Sequence, residues 1–586
     1  MENKEIARVL WETADLMEIA AEDGFRIRSY RNGATAVDGY PERIVDILRD
    51  PERKVTDIPG IGKGLAQVLA EIAERGSCER RDLLLAKFPP TALEFLKIQG
   101  LGPKGIALIF EHYRISTIDE LERLCQEQKL RGLPRMGAKL EEKVLRSIAQ
   151  YRMRTGRYLL SYAETMAEEL IAELRQVPGV EAITPAGSLR RGRETVGDLD
   201  LLVTGPAAPE AVLSRFVAYS LVEEVLVHGE NKASAKVGRE GLQVDVRALP
   251  PGSFGAAMQY FTGSKDHNVA IRTRAVKMGL KLSEYGLFRV ADDVKVAGET
   301  EEGVYQALKL AWIPPELREN TGEIEAAEAG RLPELVELQH IRGDIHMHTT
   351  ETDGRATLEE MAEAASARGY EYVAITDHSK ALAMANGLDE KRVVEFAKRV
   401  REINRNGLAH FGNRQGAPIR VFSGLECDIL KDGAMDLADD ALAELDLVIG
   451  SVHSHMNMEA AEMTDRLLRA LECPHLRVMG HPTGRILLHR DPFPFDFDRV
   501  VAEAARRGVW LEINASPERL DLHGTLIRTA KAKGARFTIS TDAHHPKHLE
   551  SMKYGVVTAR RGWLEPNDIL NTLPADQFAA ALHSKR

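Results

Sequence analysis

From residue 341 onward, six short apolar runs alternate with amphipathic stretches. They are YVAIT (372–376), IRVFSGLE (419–426), LDLVIGSVH (445–453), RVMGH (477–481), VWLEINA (509–515) and RFTIST (536–541). Runs of this length separated by helix-length segments read as parallel strands joined by helices. A βα-repeated barrel or wound sheet is therefore expected. In a barrel of this kind the residues just after the strands gather at one mouth, where active sites form.

The polar residues at those strand ends suit metal binding. His346-x-His348 opens the region and Asp353 follows. Then come Asp377 and His378, Glu426, His453 and His455, His481, Asp542 and His544. One such histidine is ordinarily a packing or surface residue, but six strand-end clusters are not. Imidazole mixed with carboxylate, and no thiolate, suits Zn, Mn or Fe rather than Mg alone.

A second constellation lies in GSLRRGRETVGDLDLLV (187–203). Asp198 and Asp200 alternate on a predicted strand, so their side chains leave one face. Asp245 sits in another alternating run, LQVDVRAL (242–249). Three carboxylates converging from adjacent strands are what two-metal phosphoryl or nucleotidyl transfer needs. Gly187, Ser188 and Arg191 precede them on a glycine turn suited to β- and γ-phosphates. A bare Asp-x-Asp is usually a solvated strand edge; the upstream turn and Asp245 argue against that here.

Residues 1 to about 155 read as successive short helices interrupted by three glycine turns: IPGIGKG (58–64), IQGLGPKG (98–105) and LRGLPRMG (130–137). The first two repeat apolar-x-Gly-apolar-Gly before a helix, which presents backbone amides where a phosphate can dock. This is the helix-hairpin-helix pattern, with Gly60, Gly62 and Lys63 in the first copy and Gly100, Gly102 and Lys104 in the second. It grips DNA backbone without reading sequence. The third copy is degenerate. Arg26, Tyr30 and Lys63 form either a 5′-phosphate site or a solvated basic face.

Net charge is −11, which weighs against nucleic-acid binding only if the domains share it evenly. The four cysteines are scattered, with no CxxC pair, as in a reducing cytosol. No stretch approaches the ~20 apolar residues of a membrane span, and the N-terminus has no signal-peptide pattern. A cytoplasmic protein without membrane contact is expected.

The stretch 187–203, continued by YFTGSKDHNVAIRTRAVKMGLKLSEYGLF (260–288), resembles the palm of DNA polymerase β and its family X relatives in the nucleotidyltransferase superfamily. The resemblance implies that Gly187, Ser188, Arg191 and Gly197 bind the triphosphate, and that Asp198, Asp200 and Asp245 hold Mg or Mn. Asp245 would also assist deprotonation of the primer 3′-hydroxyl. Tyr260, Phe261 and Gly263 would line the sugar pocket, Asn268 would meet the incoming base, and Arg272 the template strand. Residues 341–575 resemble the PHP (polymerase and histidinol phosphatase) domain. By that resemblance His346, His348, Asp353, His378, Glu426, His453, His481, Asp542 and His544 would ligate up to three Mn, Zn or Fe ions that activate water against phosphorus. Asp377 and His455 would sit behind the ligands or touch substrate, with Asn514 and Arg485 at the mouth.

The combination is similar to the bacterial family X DNA polymerases with a C-terminal PHP domain. It implies a multidomain fold: an all-α helix-hairpin-helix N-terminal region, an α+β nucleotidyltransferase palm and thumb, and a C-terminal PHP α/β distorted (βα) barrel. The expected divisions are 1–85 and 86–155 (two helix-hairpin-helix domains), 156–257 (palm), 258–315 (thumb), 316–340 (a Pro- and Glu-rich linker) and 341–575 (PHP). The implied activity is gap filling in DNA repair with dNTPs on gapped or nicked DNA carrying a 5′-phosphate, by a chain expected to be monomeric. A Mn-dependent 3′–5′ exonuclease would accompany it, with AP endonuclease or 3′-phosphatase activity as alternatives at the same centre.

Three positions depart from the family. Gln243 stands where a basic residue usually precedes the third carboxylate by two, and Lys265 where an acidic residue usually follows the sugar-pocket Gly-Ser. Val68 occupies the place of the lyase lysine, so deoxyribose-phosphate lyase chemistry is not expected; using Lys63 instead needs a register slip. Two rival readings stand beside the polymerase. One is a phosphoesterase that uses the polymerase-like half to hold DNA. The other is a template-independent transferase or a small-molecule phosphatase.

Overall fold

Apolar residues spaced three and four apart build the helices that begin the chain, and Ile6, Leu10, Ala14 and Met17 of Asn3–Ile19 are all fully buried. The computed structural model describes residues 1–586 apart from 2, 39, 41, 51–52, 89–91, 116, 135, 155, 239, 407–418 and 584–586. It divides into Met1–Thr155 and Gly156–Arg586.

The first unit is helical around one core that includes Leu69, Phe95, Ile106 and Ile148. Its glycine turns have a shared construction. The Ile61 amide donates to the Ile58 carbonyl at 3.1 Å and the Leu101 amide to the Ile98 carbonyl at 3.2 Å. Between each pair a glycine takes positive φ, +91° at Gly60 and +101° at Gly100, a conformation that costs a residue with a Cβ about 1 kcal/mol or more. Gly62 and Gly102 then cap Lys63–Arg75 and Pro103–Tyr113, with no side chain capping the first turn. In the third turn the Met136 amide donates to the Leu133 carbonyl at 3.1 Å. Arg135, at the place of the positive-φ glycine, lies outside the described residues.

In the second unit a five-stranded sheet runs in the order Ala182–Pro185, Asp198–Thr204, Leu242–Leu249, Lys232–Val237, Val222–His228. Leu199, Leu201 and Val203 alternate onto the face covered by Leu160–Leu174 and Pro209–Val217 and join their core. Each fully buried leucine there contributes about 2 kcal/mol. The carboxylates therefore leave by the opposite face. The run 280–288 is a hairpin, Leu280–Ser283 with Gly286–Arg289, and Lys295–Ala297 completes a three-stranded sheet.

Residues 316–340, expected as a linker, pack against this sheet. Arg318 is 0% exposed; its Nη1 lies 2.5 Å from Glu301, which also takes Arg190 at 2.8 Å. Glu323, equally buried, accepts from the Asn320 and Thr321 amides at 2.7 and 2.6 Å and pairs with His267 at 2.6 Å. The charges that look like linker composition are internal partners. Arg318→Ala is expected to destabilise this unit by about 3 kcal/mol, since it strands part of a buried pair; urea unfolding measures it.

The remaining sheet has seven parallel strands in chain order: Gly343–Asp344, Tyr372–Ile375, Arg420–Asp428, Leu447–Ser451, Leu476–Met479, Trp510–Asn514 and Phe537–Ser540. A parallel bridge between Met347 and Ala543 brings its two edges together, as a barrel requires. The barrel also touches the helix Leu160–Leu174 and the Gly187–Gly192 turn beside the five-stranded sheet. The Tyr554 hydroxyl donates to Glu164 at 2.6 Å, the Arg561 guanidinium to the Arg191 carbonyl at 2.8 Å, and Val557 fills the space over Gly192.

Candidate functional site

Two centres take shape in the second unit. In the first, strands Asp198–Thr204 and Leu242–Leu249 run parallel with Asp200 opposite Asp245. Asp198 is exposed, Asp200 half-buried and Asp245 buried. Burial first, then the charges of Asp198 and Asp245, push Asp200 up to about 7. A site that holds its carboxylates this close is one that a divalent cation would relieve. Gly187 faces them with φ +60°; a Cβ there would stand 2.8 Å from Asp200 Oδ2.

Asp245 is differently placed. Burial alone would raise it, but Lys232 Nζ at 2.5 Å and Gln243 Nε2 at 3.3 Å hold it below the usual carboxylate range. Lys232, from the adjacent strand, thus supplies the positive charge that Gln243 lacks. Sequence reading missed it because the antiparallel pairing of Lys232–Val237 with Leu242–Leu249, not spacing, brings it to Asp245. Lys232→Ala is expected to slow nucleotide addition about tenfold, the usual cost of losing a group that orients a ligand. Lys232→Arg should recover most of the loss in single-turnover primer extension.

Arg191 lies beside this centre with its guanidinium on Glu319 (3.1 Å) and the Thr262 carbonyl (2.8 Å). Ser188 and Gly197 are partly exposed. Tyr260 and Phe261 meet edge-on at 5.1 Å, Arg247 stacks over Phe261 at 4.3 Å, and Arg272 lies over Tyr260 at 5.9 Å. The Asn268 amide donates to the Tyr260 and Gly263 carbonyls at 2.6 and 3.1 Å, bracing the turn. Lys265 is exposed at the start of Lys265–Lys277.

In the first unit Gly60, Gly62, Gly100 and Gly102 shape the two turns, and Lys63 and Lys104 are exposed beside them. Arg26 is also exposed, whereas Tyr30 is 8% exposed and belongs to the core. Val68 packs against that core.

The second centre is the barrel mouth. Eight of the expected ligands fall into three groups of mutually close donor atoms: His348, Asp353, His378 and His544; His346, His348 and Asp542; His378, Glu426 and His453. His481 stands outside these groups, its Nε2 2.9 Å from Glu426 Oε1. Glu426 pushes His378 and His453 up to about 10 and about 9 against the opposing pull of burial. Burial, then His544 and His378, push His348 down to about 3. The donor set fits metal ions on an independent ground. His346 Nε2, His348 Nδ1 and His481 Nδ1 are buried without a hydrogen-bond partner, an arrangement that is costly unless a ligand completes it.

Residues behind the mouth orient these ligands. His346 Nδ1 lies 2.6 Å from Glu512, and His453 Nδ1 lies 3.2 Å from Asp428. Both carboxylates were overlooked in the sequence, although each interrupts a buried apolar strand, which is itself a signal. Asn514 donates to Asp542 at 3.1 Å, and Asp377 accepts from Thr349 and Thr352. His455 is exposed at positive φ. Arg485, expected at the mouth, is 8% exposed and holds backbone carbonyls of Arg519 and Leu520.

Models match for a helix-hairpin-helix domain at 1–78, a SAM-like helix-hairpin-helix tandem at 92–150, the DNA polymerase beta thumb at 257–319 and a PHP domain at 344–516. The chain is 36% identical over 572 residues to the DNA polymerase/3'-5' exonuclease PolX of Bacillus subtilis, covering 97% of each. DNA polymerase lambda of Rattus norvegicus is 27% identical over 331 residues, 51% of this chain and 53% of that one. A probable phosphatase of Acetivibrio thermocellus is 29% identical over 219 residues, 34% of this chain and 78% of that one.

Proposed function

Because the chain belongs to the PolX family of DNA polymerase/3'-5' exonucleases, we propose that its first centre fills short gaps in DNA and its second trims 3′ ends. The observation that carries the polymerase reading is the in-register pair Asp200 and Asp245, flanked by Asp198 and facing the Gly187 turn. Asp198, Asp200 and Asp245 would hold Mg or Mn, which when bound acidifies the primer 3′-hydroxyl and balances charge on the triphosphate. The chain's own contribution is placement. Asp245, steered by Lys232, takes the hydroxyl proton on a carboxylate oxygen; the Gly187–Arg191 turn receives the phosphates; Tyr260, Phe261 and Gly263 bound the sugar.

The nine residues at the barrel mouth would hold up to three Mn, Zn or Fe ions, and the unpartnered buried nitrogens support that assignment. There the reaction is phosphoester hydrolysis, with 3′–5′ exonuclease as the main activity and abasic-site cleavage or 3′-phosphate removal within the same chemistry. The two glycine turns would grip gapped DNA through backbone amides, with Arg26 and Lys63 toward a 5′-phosphate. Val68 supports the absence of lyase chemistry by a Schiff base. We place the enzyme in the cytoplasm as a monomer; among the described residues no helix is long and apolar enough to cross a membrane.

The test is a labelled primer on a one-nucleotide gap with a 5′-phosphate. Addition of the single templated dNTP in Mg²⁺ or Mn²⁺ supports the reading. Addition without regard to template, or none, overturns it.

A further inference from the structure

The geometry points to Arg519 as the residue that binds the scissile phosphate at the barrel mouth, on a loop anchored in the hydrophobic core of the polymerase half. This rests on the reading of the barrel as a phosphoesterase.

Arg519 follows the strand Trp510–Asn514, and its Nε lies 3.4 Å from Asp542 Oδ2. Among the ion pairs of the described residues, no other guanidinium or ammonium reaches any of the nine candidate ligands. Its Nη1 is buried and makes no hydrogen bond, while the side chain keeps 20% of its surface exposed. An arginine present only to brace Asp542 would have its donors satisfied, and Asp542 already has Asn514 at 3.1 Å and His348 at 3.1 Å. An arginine on a solvated face would not be enclosed. A guanidinium with an unsatisfied donor beside a metal-type cluster, on a side chain that is 20% exposed, suits the paired oxygens of a phosphodiester, whose spacing its planar fork matches.

The loop carrying it is pinned from the other domain. Leu520 is 0% exposed and lies in the same core as Leu199, Leu201 and Val203 of the sheet, with Leu487 packed against that core. The Leu487 amide donates to the Glu518 carbonyl at 2.7 Å. Arg485 Nε donates to the Arg519 carbonyl at 3.0 Å and its Nη2 to the Leu520 carbonyl. The Asn514 amide takes the Asp521 carbonyl at 2.6 Å. The backbone on both sides of Arg519 is therefore fixed, and one of its fixings is the core under the polymerase carboxylates. That core therefore anchors the loop that carries Arg519.

Inorganic phosphate binding tests this, by calorimetry on the full chain in Mn²⁺, alongside Mn content and the KM for trimming a single-stranded oligonucleotide. Arg519→Ala should weaken phosphate binding by about tenfold or more and raise the KM in step, with Mn content within about twofold of wild type. Arg519→Lys should recover part of the loss, keeping the charge without the fork. Leu520→Ala should weaken phosphate binding in the same direction while Arg519 itself is intact. Unchanged phosphate affinity in Arg519→Ala, or a fall in Mn content that accounts for its loss, overturns the assignment; unchanged affinity in Leu520→Ala overturns the anchoring. A wild type that trims nothing sinks the phosphoesterase reading instead, and phosphate binding still decides the role of Arg519.

Discussion

Exchanging Asp245 for alanine is expected to slow templated nucleotide addition by about a thousandfold or more, because residues acting as one unit lose most of the rate when any is removed. The expectation follows from placement. Asp245 is 7% exposed, opposite Asp200 on a parallel neighbour, and paired with Lys232 at 2.5 Å. Its removal would take away a proposed metal ligand and the oxygen proposed to accept the primer proton. The fold should survive, since Asp200 is already pushed up to about 7 partly by Asp245, and deleting that charge relieves the repulsion. Lys232 can turn to solvent, being 33% exposed. Single-turnover extension gives the rate, while trimming of 3′ ends should remain within about twofold, because the partners of Asp245, Lys232 and Gln243, lie within its own sheet.

Glu426→Gln is expected to abolish phosphoester hydrolysis to a similar extent, by about a thousandfold or more, and to empty the barrel mouth of metal. Glu426 is 1% exposed and lies 2.8 Å from His378, 2.9 Å from His481, 3.3 Å from His453, 3.5 Å from His346 and 3.7 Å from His348. Burial opposes its charge, but the surrounding histidines hold it well below the usual carboxylate range. Glutamine keeps the shape and removes the charge, so packing persists while the anion at the middle of the cluster is gone. Elemental analysis after dialysis reads the metal, and hydrolysis of a 3′-labelled strand reads the activity. Nucleotide addition should persist, because its carboxylates lie on another sheet.

Much of this was legible because the two periods of the backbone leave marks in the sequence. Alternation on strands put Asp198 and Asp200 on one face and Asp245 on the face of a second strand, and the register brought them together. Strand-end histidines could be read because parallel strands deliver their ends to one mouth. Gly60 and Gly100 were visible because their positive φ excludes most other residues. Lys232 was not legible, since a lone lysine has no pattern until pairing sets it beside Asp245. Residues 316–340 misled for a different reason: composition records that Arg318 and Glu323 are charged, not that Glu301 and His267 are waiting for them in the interior. Arg485 lies behind the mouth instead of lining it because two backbone carbonyls claim its guanidinium.

The measurement that bears most directly on the two-centre account uses one gapped substrate with the wild type, Asp245→Ala and Glu426→Gln, each with and without dNTPs in Mg²⁺ and in Mn²⁺. The account predicts that Asp245→Ala shortens the primer but does not extend it, that Glu426→Gln extends but does not shorten it, and that the wild type does both. Loss of both activities in either single variant, with the fold intact, would contradict it, as would a wild type that shortens the primer and never extends it.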